Sequence, residues 1–257
     1  MCPFKGGEFD LQPFYEDNFV TLYQGDAREI IPALGFKADA IIADPPYGET
    51  SLDWDRWPEG WPKALLPFAP SMWVFGSFRM FWERVQEFSG WKVSQDVIWE
   101  KHNSPNAAHD RFKRVHEQPV HFYAAGRKWS DIYKCPQFTN DATARAVRRK
   151  CRPQQWGNIK ESSYISEDGG PRMMRSVLYA PSCHGYAIHP TQKPASIVQT
   201  LIRYAVPSGG SIIVPFAGSG TDLVVAKSLG IKAVGVELQE MYCEKIVERL
   251  AEKTLFS

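Results

Sequence analysis

The stretch that decides the fold reads Val214-Pro215-Phe216-Ala217-Gly218-Ser219-Gly220-Thr221. It joins an apolar strand pattern over 211–214 to a helical pattern over 222–229, and a glycine turn in that position is typical of doubly wound α/β folds. Glu237 follows Gly218 by nineteen positions, after the next strand pattern, where a carboxylate can hold ribose hydroxyls. Leu223 replaces the third glycine of the dinucleotide fingerprint, which favours an adenosine ligand without a pyrophosphate. Without Glu237, the turn could equally be a simple strand-to-helix link.

A second motif, Asp44-Pro45-Pro46-Tyr47, follows the apolar strand pattern over 38–43. Ligands of open α/β sheets bind at the carboxyl ends of strands. Consecutive prolines fix the backbone and remove donors, so the nearby carbonyls stay free as acceptors. Together with the Asp44 carboxylate and the flat Tyr47 ring, they can accept hydrogen bonds from an amino group while its ring stacks. The alternative is a rigid turn that only ends the strand.

Hydrophobic periodicity completes an α/β pattern along the chain. It predicts strands over 19–23, 71–75, 93–99 and 233–236, and helices over 27–34, 78–88, 196–205 and 240–253. Periodicity is poor from 130 to 184. We therefore expect an α/β protein with a doubly wound, Rossmann-like sheet and a small inserted region.

Composition restricts the class of protein. The chain has 257 residues, 44% hydrophobic and 23% charged, which fits one large globular domain with a small insertion. Five cysteines without a CxxC pair argue against a disulfide framework or a zinc ribbon, and predict a reducing cytoplasm. No apolar run reaches the roughly 18 residues of a membrane span, and the first ten residues lack the apolar core of an export signal.

Positive charge is concentrated in one part of the chain. Between Lys101 and Lys160 there are thirteen basic and four acidic residues, a net charge of +9, whereas the whole chain carries +1 and the remainder therefore −8. Such a stretch favours contact with phosphates, although a solvated face is the alternative. The candidate contacts are Lys101, Arg111, Lys113, Arg114, Arg145, Arg148, Arg149 and Arg152.

These motifs together resemble one family. Asp44 to Tyr47 resembles the DPPY catalytic motif of DNA amino-methyltransferases, and Phe216 to Thr221 their FxGxGT cofactor motif. The order of the two motifs is that of the β class. His189-Pro190-Thr191-Gln192-Lys193-Pro194 and Gly25-Asp26-Ala27 are similar to two further segments of this class. Residues 97–101 and 111–117 resemble phage- and prophage-borne adenine-N6 enzymes, so the resemblance covers nearly all of the chain outside 130–184.

The resemblance implies transfer of a methyl group from S-adenosyl-L-methionine to N6 of an adenine flipped out of double-stranded DNA, leaving S-adenosyl-L-homocysteine. It implies a catalytic half over 1–129, a target-recognition region over 130–185 and a cofactor half over 186–257. The implied catalytic residues are Asp44, Pro45, Pro46 and Tyr47. The implied cofactor residues are Asp26, Ala27, Asp44, His189, Thr191, Gln192, Lys193, Phe216, Ala217, Gly218, Ser219, Gly220, Thr221, Glu237 and Leu238.

Several alternatives stay open from the sequence alone. Cytosine N4 is the nearest rival target, RNA is another substrate, and a nucleotide-binding oxidoreductase or a non-catalytic DNA-binding module are other classes. The reaction needs no metal, so His102, His109 and His116 are expected to face solvent or phosphate. The resemblance places the protein in the cytoplasm of a bacterium or of a phage-infected host cell, near the nucleoid. The sequence allows a homodimer and identifies no restriction partner.

Three tryptophans follow the catalytic motif closely: Trp54, Trp57 and Trp61. They could form a lid over a flipped base. Aromatic side chains more often pack in a core, so packing is the alternative.

Overall fold

The computed structural model describes residues 11–52, 54–102, 110, 112–149, 162–183 and 192–251. Four predicted site residues lie outside the described residues: Arg111, Arg152, His189 and Thr191. The chain divides into two compact units, one formed by Met1–Cys135 with Ser176–Ser257 and the other by Pro136–Arg175. The smaller unit falls inside the region predicted for target recognition.

A central sheet organises the larger unit. Its eight strands in the described residues have the spatial order β1 (Tyr15–Glu16), β2 (Val20–Gln24), β15 (Lys232–Glu237), β14 (Ser211–Val214), β3 (Ala40–Ala43), β4 (Ser71–Val74), β8 (Val120–Ala124) and β5 (Trp91–Asp96). The five strands from β2 to β4 are parallel, whereas β1 and β8 are antiparallel to their neighbours.

Helices cover both faces of this sheet. The helices α1 (Ala27–Leu34) and α2 (Trp61–Leu65) pack on one face, and α4 (Ala195–Ala205), α5 (Thr221–Ser228) and α6 (Glu240–Ala251) on the other. Along β3, Ala40 and Ile42 belong to one core cluster and Ile41 and Ala43 to the other. A strand buried on both faces is apolar throughout, which is why its pattern shows no alternation. The predicted doubly wound fold is confirmed.

Strands β14 and β3 form the switch point of the sheet. From β14 the chain continues through α5 to β15 on one side, and from β3 through α2 to β4 on the other side. The loops after these two neighbouring strands therefore diverge and leave a crevice at the carboxyl edge. Both sequence motifs follow directly from these strands.

Two predicted elements differ from the structure. The strand predicted over 93–99 is divided into β5 and β6 (Ile98–Glu100). The amide of Val97 still donates to the Pro119 carbonyl beside β8 at 2.8 Å, whereas the amide of Ile98 donates to the Ser176 carbonyl beside β13 at 2.7 Å. Strand β6 then pairs in a small second sheet with β7 (His116–Glu117) and β13 (Val177–Tyr179).

The helix predicted over 78–88 is also shorter. Helix α3 (Phe78–Glu83) ends at Arg84, whose φ of −110° lies outside helical geometry, and a 3-10 turn over Val85–Phe88 follows. None of the helices in the described ranges has both the length and the hydropathy needed to cross a bilayer.

The smaller unit contains short antiparallel pairs. Strand β9 (Phe138–Thr139) pairs with β12 (Arg172–Met173), and β10 (Arg145–Arg149) pairs with β11 (Ser162–Ser166). Most described side chains of these strands are exposed, so no buried face imposes an alternating pattern. The poor periodicity of these strands thus has a structural cause.

Candidate active site

A cavity of about 680 Å³ opens at the carboxyl edge of the central sheet. It is of the size that cofactors occupy in proteins. Its lining includes all but one of the described catalytic and cofactor residues predicted from the sequence: Asp26, Ala27, Asp44, Pro45, Pro46, Tyr47, Gln192, Lys193, Phe216, Ala217, Gly218, Ser219, Thr221, Glu237 and Leu238. The exception is Gly220, which caps the start of α5.

Lys193 is bound by the carboxylate of the catalytic motif. Its ammonium lies 2.7 Å from Asp44 Oδ2 and 3.4 Å from Glu117 Oε2, and its side chain is only 4% exposed. The same ammonium lies 5.6 Å from the centre of the Tyr47 ring and 5.3 Å from that of Phe75. Residues almost 150 positions apart in the chain therefore meet in one buried ion pair.

Glu117 is a site residue that the sequence analysis missed. Its Oε2 lies 3.1 Å from the Tyr47 hydroxyl, and its Oε1 is bound to the ammonium of Lys101. The Tyr47 hydroxyl is also 3.2 Å from Asp44 Oδ1, so its single hydrogen serves two carboxylates. Glu117 ends the segment over 111–117 that carries part of the family resemblance, and that segment was the available signal.

The two carboxylates have different proton affinities. Burial raises the pKa of Asp44, and neighbouring Glu117 adds to the rise while Lys193 opposes it. Burial also acts to raise the pKa of Glu117, but Lys193 and Lys101 together hold it below its ordinary value. Glu117 is thus the stable anion, and Asp44 is the carboxyl group that accepts a proton more readily.

The loop after the catalytic motif is held by Asp55. Its carboxylate accepts hydrogen bonds from the amides of Gly48, Glu49 and Thr50 at 2.7–3.0 Å. Glu49 in turn pairs with the guanidinium of Arg114 at 3.0 Å. Arg114, predicted as a DNA contact, therefore lies at the wall of the cavity.

The glycine turn and Glu237 form one unit. The amide of Gly218 donates to Glu237 Oε2 at 2.8 Å, and the amide of Gln239 donates to Oε1 at 3.0 Å. Burial raises the pKa of Glu237, while these amides oppose the rise. Gly220 has a φ of +72°, and a Cβ there would lie 2.8 Å from Ile246 Cγ1. Only glycine fits this position, as a strand-to-helix turn of this type requires.

The described residues predicted for the cofactor fit an adenosine. Each Glu237 oxygen accepts one amide and has a further lone pair for a ribose hydroxyl. Asp26 caps α1 by accepting from the Arg28 amide at 2.8 Å and pairs with the Arg28 guanidinium at 2.5 Å. The ring of Phe216 contacts Trp61 edge-on at 5.3 Å. An acidic acceptor, an apolar ring and a glycine turn thus surround one space.

Two of the three tryptophans are core residues. Trp61 is fully buried and Trp57 is 8% exposed, and both rings contact Phe88 at 6.2–6.3 Å. Packing therefore accounts for both side chains. Trp54 and Trp57 both line the cavity, and Trp54 is the less buried of the two. A lid over a ligand stays a prediction for Trp54.

A second acidic residue that the sequence analysis missed is Asp222, in the first turn of α5. The residue is 6% exposed and lines the cavity, and no hydrogen-bond partner for Oδ1 exists within the described residues. Burial raises its pKa to about 7, and the negative charge of Asp44 contributes. The sequence predicted only a helix start here.

The predicted DNA contacts fall into two groups. Lys113, Arg145 and Arg148 are exposed, and Arg149 lies on β10. Lys101 instead is mostly buried, bound to Glu117 and 4.5 Å from the centre of the Trp99 ring.

Among the described residues, no group of three or more His, Cys, Asp or Glu side chains could hold a metal ion.

The protein has a doubly wound α/β sheet whose cavity brings Glu237 and the glycine turn beside Asp44, a carboxylate that can accept hydrogen bonds from an amino group. A family model described as DNA methylase, of the N6/N4 type, matches residues 38–248, and the chain belongs to this family. The predicted class, an S-adenosylmethionine-dependent DNA amino-methyltransferase, is thereby confirmed.

Relatives and solved structures agree with this membership. The chain is 27% identical to Type II methyltransferase M.HinfI of Haemophilus influenzae, over 90% of this chain and 68% of that protein. It is 24% identical to Type II methyltransferase M.ScaI of Streptomyces caespitosus, over 93% of this chain and 84% of that protein. The M1.HpyAVI–SAM complex is 25% identical, with a TM-score of 0.60 over 90% of this chain and all of that chain. The cytosine-N4-specific PvuII DNA methyltransferase shares the fold, with a TM-score of 0.62. It is 15% identical, and the match covers 96% of this chain and 92% of that chain.

The raised pKa of Asp222 predicts a pH-dependent stability. The folded protein holds this proton more tightly than the unfolded chain, so the free energy of unfolding falls as pH rises from about 4 to about 7. Asp222→Asn removes this titration, so its stability relative to the wild type should rise by on the order of 4 kcal/mol between these limits.

Urea denaturation of both proteins at about pH 4.5 and about pH 8 measures the difference. Asp17→Asn is the matched control, because Lys227 and two backbone amides lower the pKa of Asp17 to about 2, against the effect of burial. The effect of that substitution should stay constant across the window. An Asp222→Asn effect that is equally constant would contradict the prediction.

Proposed function

We propose that this methyltransferase acts on N6 of an adenine that is flipped out of double-stranded DNA. The observation that carries the proposal is the position of Asp44. Its carboxylate follows β3 and lines the same cavity as Glu237 and the glycine turn. An amino group held by Asp44 would therefore lie beside a cofactor held by Glu237.

The cofactor half of the cavity has a role for each group of residues. Glu237 binds the ribose hydroxyls, Asp26 and Ala27 lie near the adenine, and Phe216 packs against it. Gln192 and Lys193 lie toward the methionine end. When bound, S-adenosyl-L-methionine supplies a methyl group on a positively charged sulfur.

The catalytic motif orients the target amine. An exocyclic amine is a poor nucleophile because its lone pair is delocalised into the ring. Hydrogen bonds from N6 to Asp44 and to the Pro45 carbonyl localise that lone pair and direct it at the methyl group. Most of the catalysis is then orientation and charge placement, without a covalent enzyme intermediate.

The ion network around Asp44 keeps it ready for this role. Lys193 and the Tyr47 hydroxyl hold one lone pair on each Asp44 oxygen, and the remaining lone pairs can accept from the amine. The amine loses a proton as the N–C bond forms. The raised pKa of Asp44 makes this carboxylate a suitable acceptor of that proton.

Access to the amine requires the base to leave the duplex. Flipping costs a few kcal/mol. Stacking on an aromatic ring contributes about 1–3 kcal/mol per base, and Tyr47 presents such a ring in the cavity wall. Tyr47 would thus bind the base with its ring and fix Asp44 with its hydroxyl.

Adenine is the favoured target because of the tetrapeptide Asp44 to Tyr47 and the resemblance of 111–117 to adenine-N6 enzymes. The second candidate is N4 of cytosine, the target that the name of the PvuII enzyme gives for that protein. Both amines need the same acceptor geometry, so only the product distinguishes them.

DNA contact is assigned to the exposed basic residues between 101 and 160. Lys113, Arg145 and Arg148 are exposed, and a two-stranded ribbon such as β10 with β11 has dimensions that the major groove admits. Lys101, also predicted as a DNA contact, is bound to Glu117.

The first test is transfer itself. Purified protein should move a labelled methyl group from S-adenosyl-L-methionine to double-stranded DNA, and nucleoside digestion should yield N6-methyladenine. N4-methylcytosine as the only product would overturn the choice of base. Label on RNA with none on DNA would overturn the substrate.

The second test separates the amine acceptor from the ribose acceptor. Asp44→Ala should reduce single-turnover methyl transfer by at least about a hundredfold, because orientation and charge at the reacting amine are lost. Glu237→Ala should chiefly weaken cofactor binding, by about ten- to hundredfold, since hydrogen bonds to a carboxylate are lost.

Calorimetry and single-turnover kinetics measure the two effects. Asp44→Asn and Glu237→Gln are the matched variants, because each keeps the shape and removes the charge. Normal cofactor affinity in Glu237→Ala would remove Glu237 from the ribose site. Near-normal turnover in Asp44→Ala would show that another group accepts the amine.

The third test concerns the ribbon. Arg145→Gln with Arg148→Gln should lower the slope of log K against log salt by about 0.9 for each phosphate that the protein no longer neutralises. Cofactor affinity should stay unchanged. Lys37→Gln with Lys63→Gln removes the same charge from exposed positions of the larger unit and serves as control. Equal slopes in both double variants, measured by fluorescence anisotropy on one duplex, would show that the ribbon does not contact phosphates.

A further inference from the structure

Asp222 lines the cavity, and its Oδ1 has no hydrogen-bond partner within the described residues. The charged groups that act on this carboxylate come from three other segments: Asp44 after β3, Lys193 before α4 and Arg249 on α6. Lys193 is bound to Asp44 and Glu117. Arg249 donates to the Ser219 carbonyl at 2.5 Å and lies 3.2 Å from the Thr221 hydroxyl. Neither cation forms a hydrogen bond with Asp222 Oδ1.

The missing partner has a defined chemistry. A buried acceptor without a hydrogen bond is costly, so a ligand that supplies a donor at this point gains affinity. Asp222 and Asp44 both line the cavity, and the negative charge of Asp44 acts on Asp222, which favours a cationic donor there. A sulfonium carries charge but no hydrogen, whereas an ammonium has three N–H donors.

We propose that Asp222 binds the α-ammonium group of the methionine part of the cofactor. This inference rests on the cofactor of the proposed function and names a residue that the glycine turn and Glu237 do not account for. The adenosine end is held through Glu237, and the amino-acid end is held through Asp222.

Because the pKa of Asp222 is raised, cofactor binding should be coupled to the release of a proton. With a pKa of about 7, the free carboxyl group is about half protonated at neutral pH. An ammonium beside it favours the carboxylate, so binding should release up to about half a proton at pH 7. Cofactor affinity should therefore fall as pH decreases below 7.

Three ligands separate the parts of the cofactor in calorimetric titrations. S-adenosyl-L-homocysteine has the same ammonium without the sulfonium charge, and 5′-methylthioadenosine lacks the amino-acid end altogether. Asp222→Asn should weaken the binding of S-adenosyl-L-methionine and of S-adenosyl-L-homocysteine by a similar factor, about ten- to hundredfold. Binding of 5′-methylthioadenosine should change less than about twofold, which also shows that the variant is folded.

Titrations in buffers of different ionisation enthalpy count the proton. The wild type should release it with S-adenosyl-L-homocysteine and not with 5′-methylthioadenosine, and Asp222→Asn should not release it at all. Glu240→Gln removes an exposed carboxylate near the start of α6 and should behave like the wild type.

Each other result overturns a stated part of the proposal. Equal weakening of all three ligands would show that Asp222 shapes the pocket as a whole. Selective loss of S-adenosyl-L-methionine would assign Asp222 to the sulfonium, and unchanged affinities would exclude any contact. If the wild type bound none of the three ligands, the failure would lie in the cofactor of the proposed function.

Discussion

One buried ammonium holds the site together. Lys193 is shared between Asp44 and Glu117, and without it two carboxylates would repel each other inside the protein. Because Lys101 also binds Glu117, the two acids receive unequal shares of positive charge. That inequality lowers the pKa of Glu117, which stays an anion, and leaves the pKa of Asp44 raised, so that Asp44 takes up a proton more readily. The catalytic motif thus depends on a lysine that lies far from it in sequence.

The parallel sheet explains how such distant residues meet. Carboxyl ends of β2, β3, β14 and β15 all lie along one edge, so the turn after each strand contributes to the same cavity. The divergence of the chain between β3 and β14 keeps that edge open. Closing helix α6 supports the glycine turn from outside through Arg249. The sheet therefore fixes the distance between Glu237 and Asp44, which under the proposed function are the ribose acceptor and the amine acceptor.

Local features of this protein could be predicted from its sequence, and tertiary ones could not. Asp44 to Tyr47 and the turn at Gly218 are contiguous motifs at strand ends, so their placement follows from periodicity and turn chemistry. Glu117 acts through Tyr47, seventy positions away, and no local pattern encodes that pairing. Asp222 stands out because its buried Oδ1 lacks a hydrogen-bond partner within the described residues, which only the packing of the structure reveals. Likewise, the break between β5 and β6 depends on an amide that bonds to a distant carbonyl.

The smaller unit, Pro136–Arg175, leaves the larger one at a single exit and returns at a single entry. Its described strands pair only with each other, and none of them belongs to the central sheet. Under the proposed function, an insertion of this kind separates two inherited traits, the chemistry performed on a base and the choice of where to perform it. A single local recombination could exchange or remodel the segment, so that the same chemistry would act at a different recognition sequence.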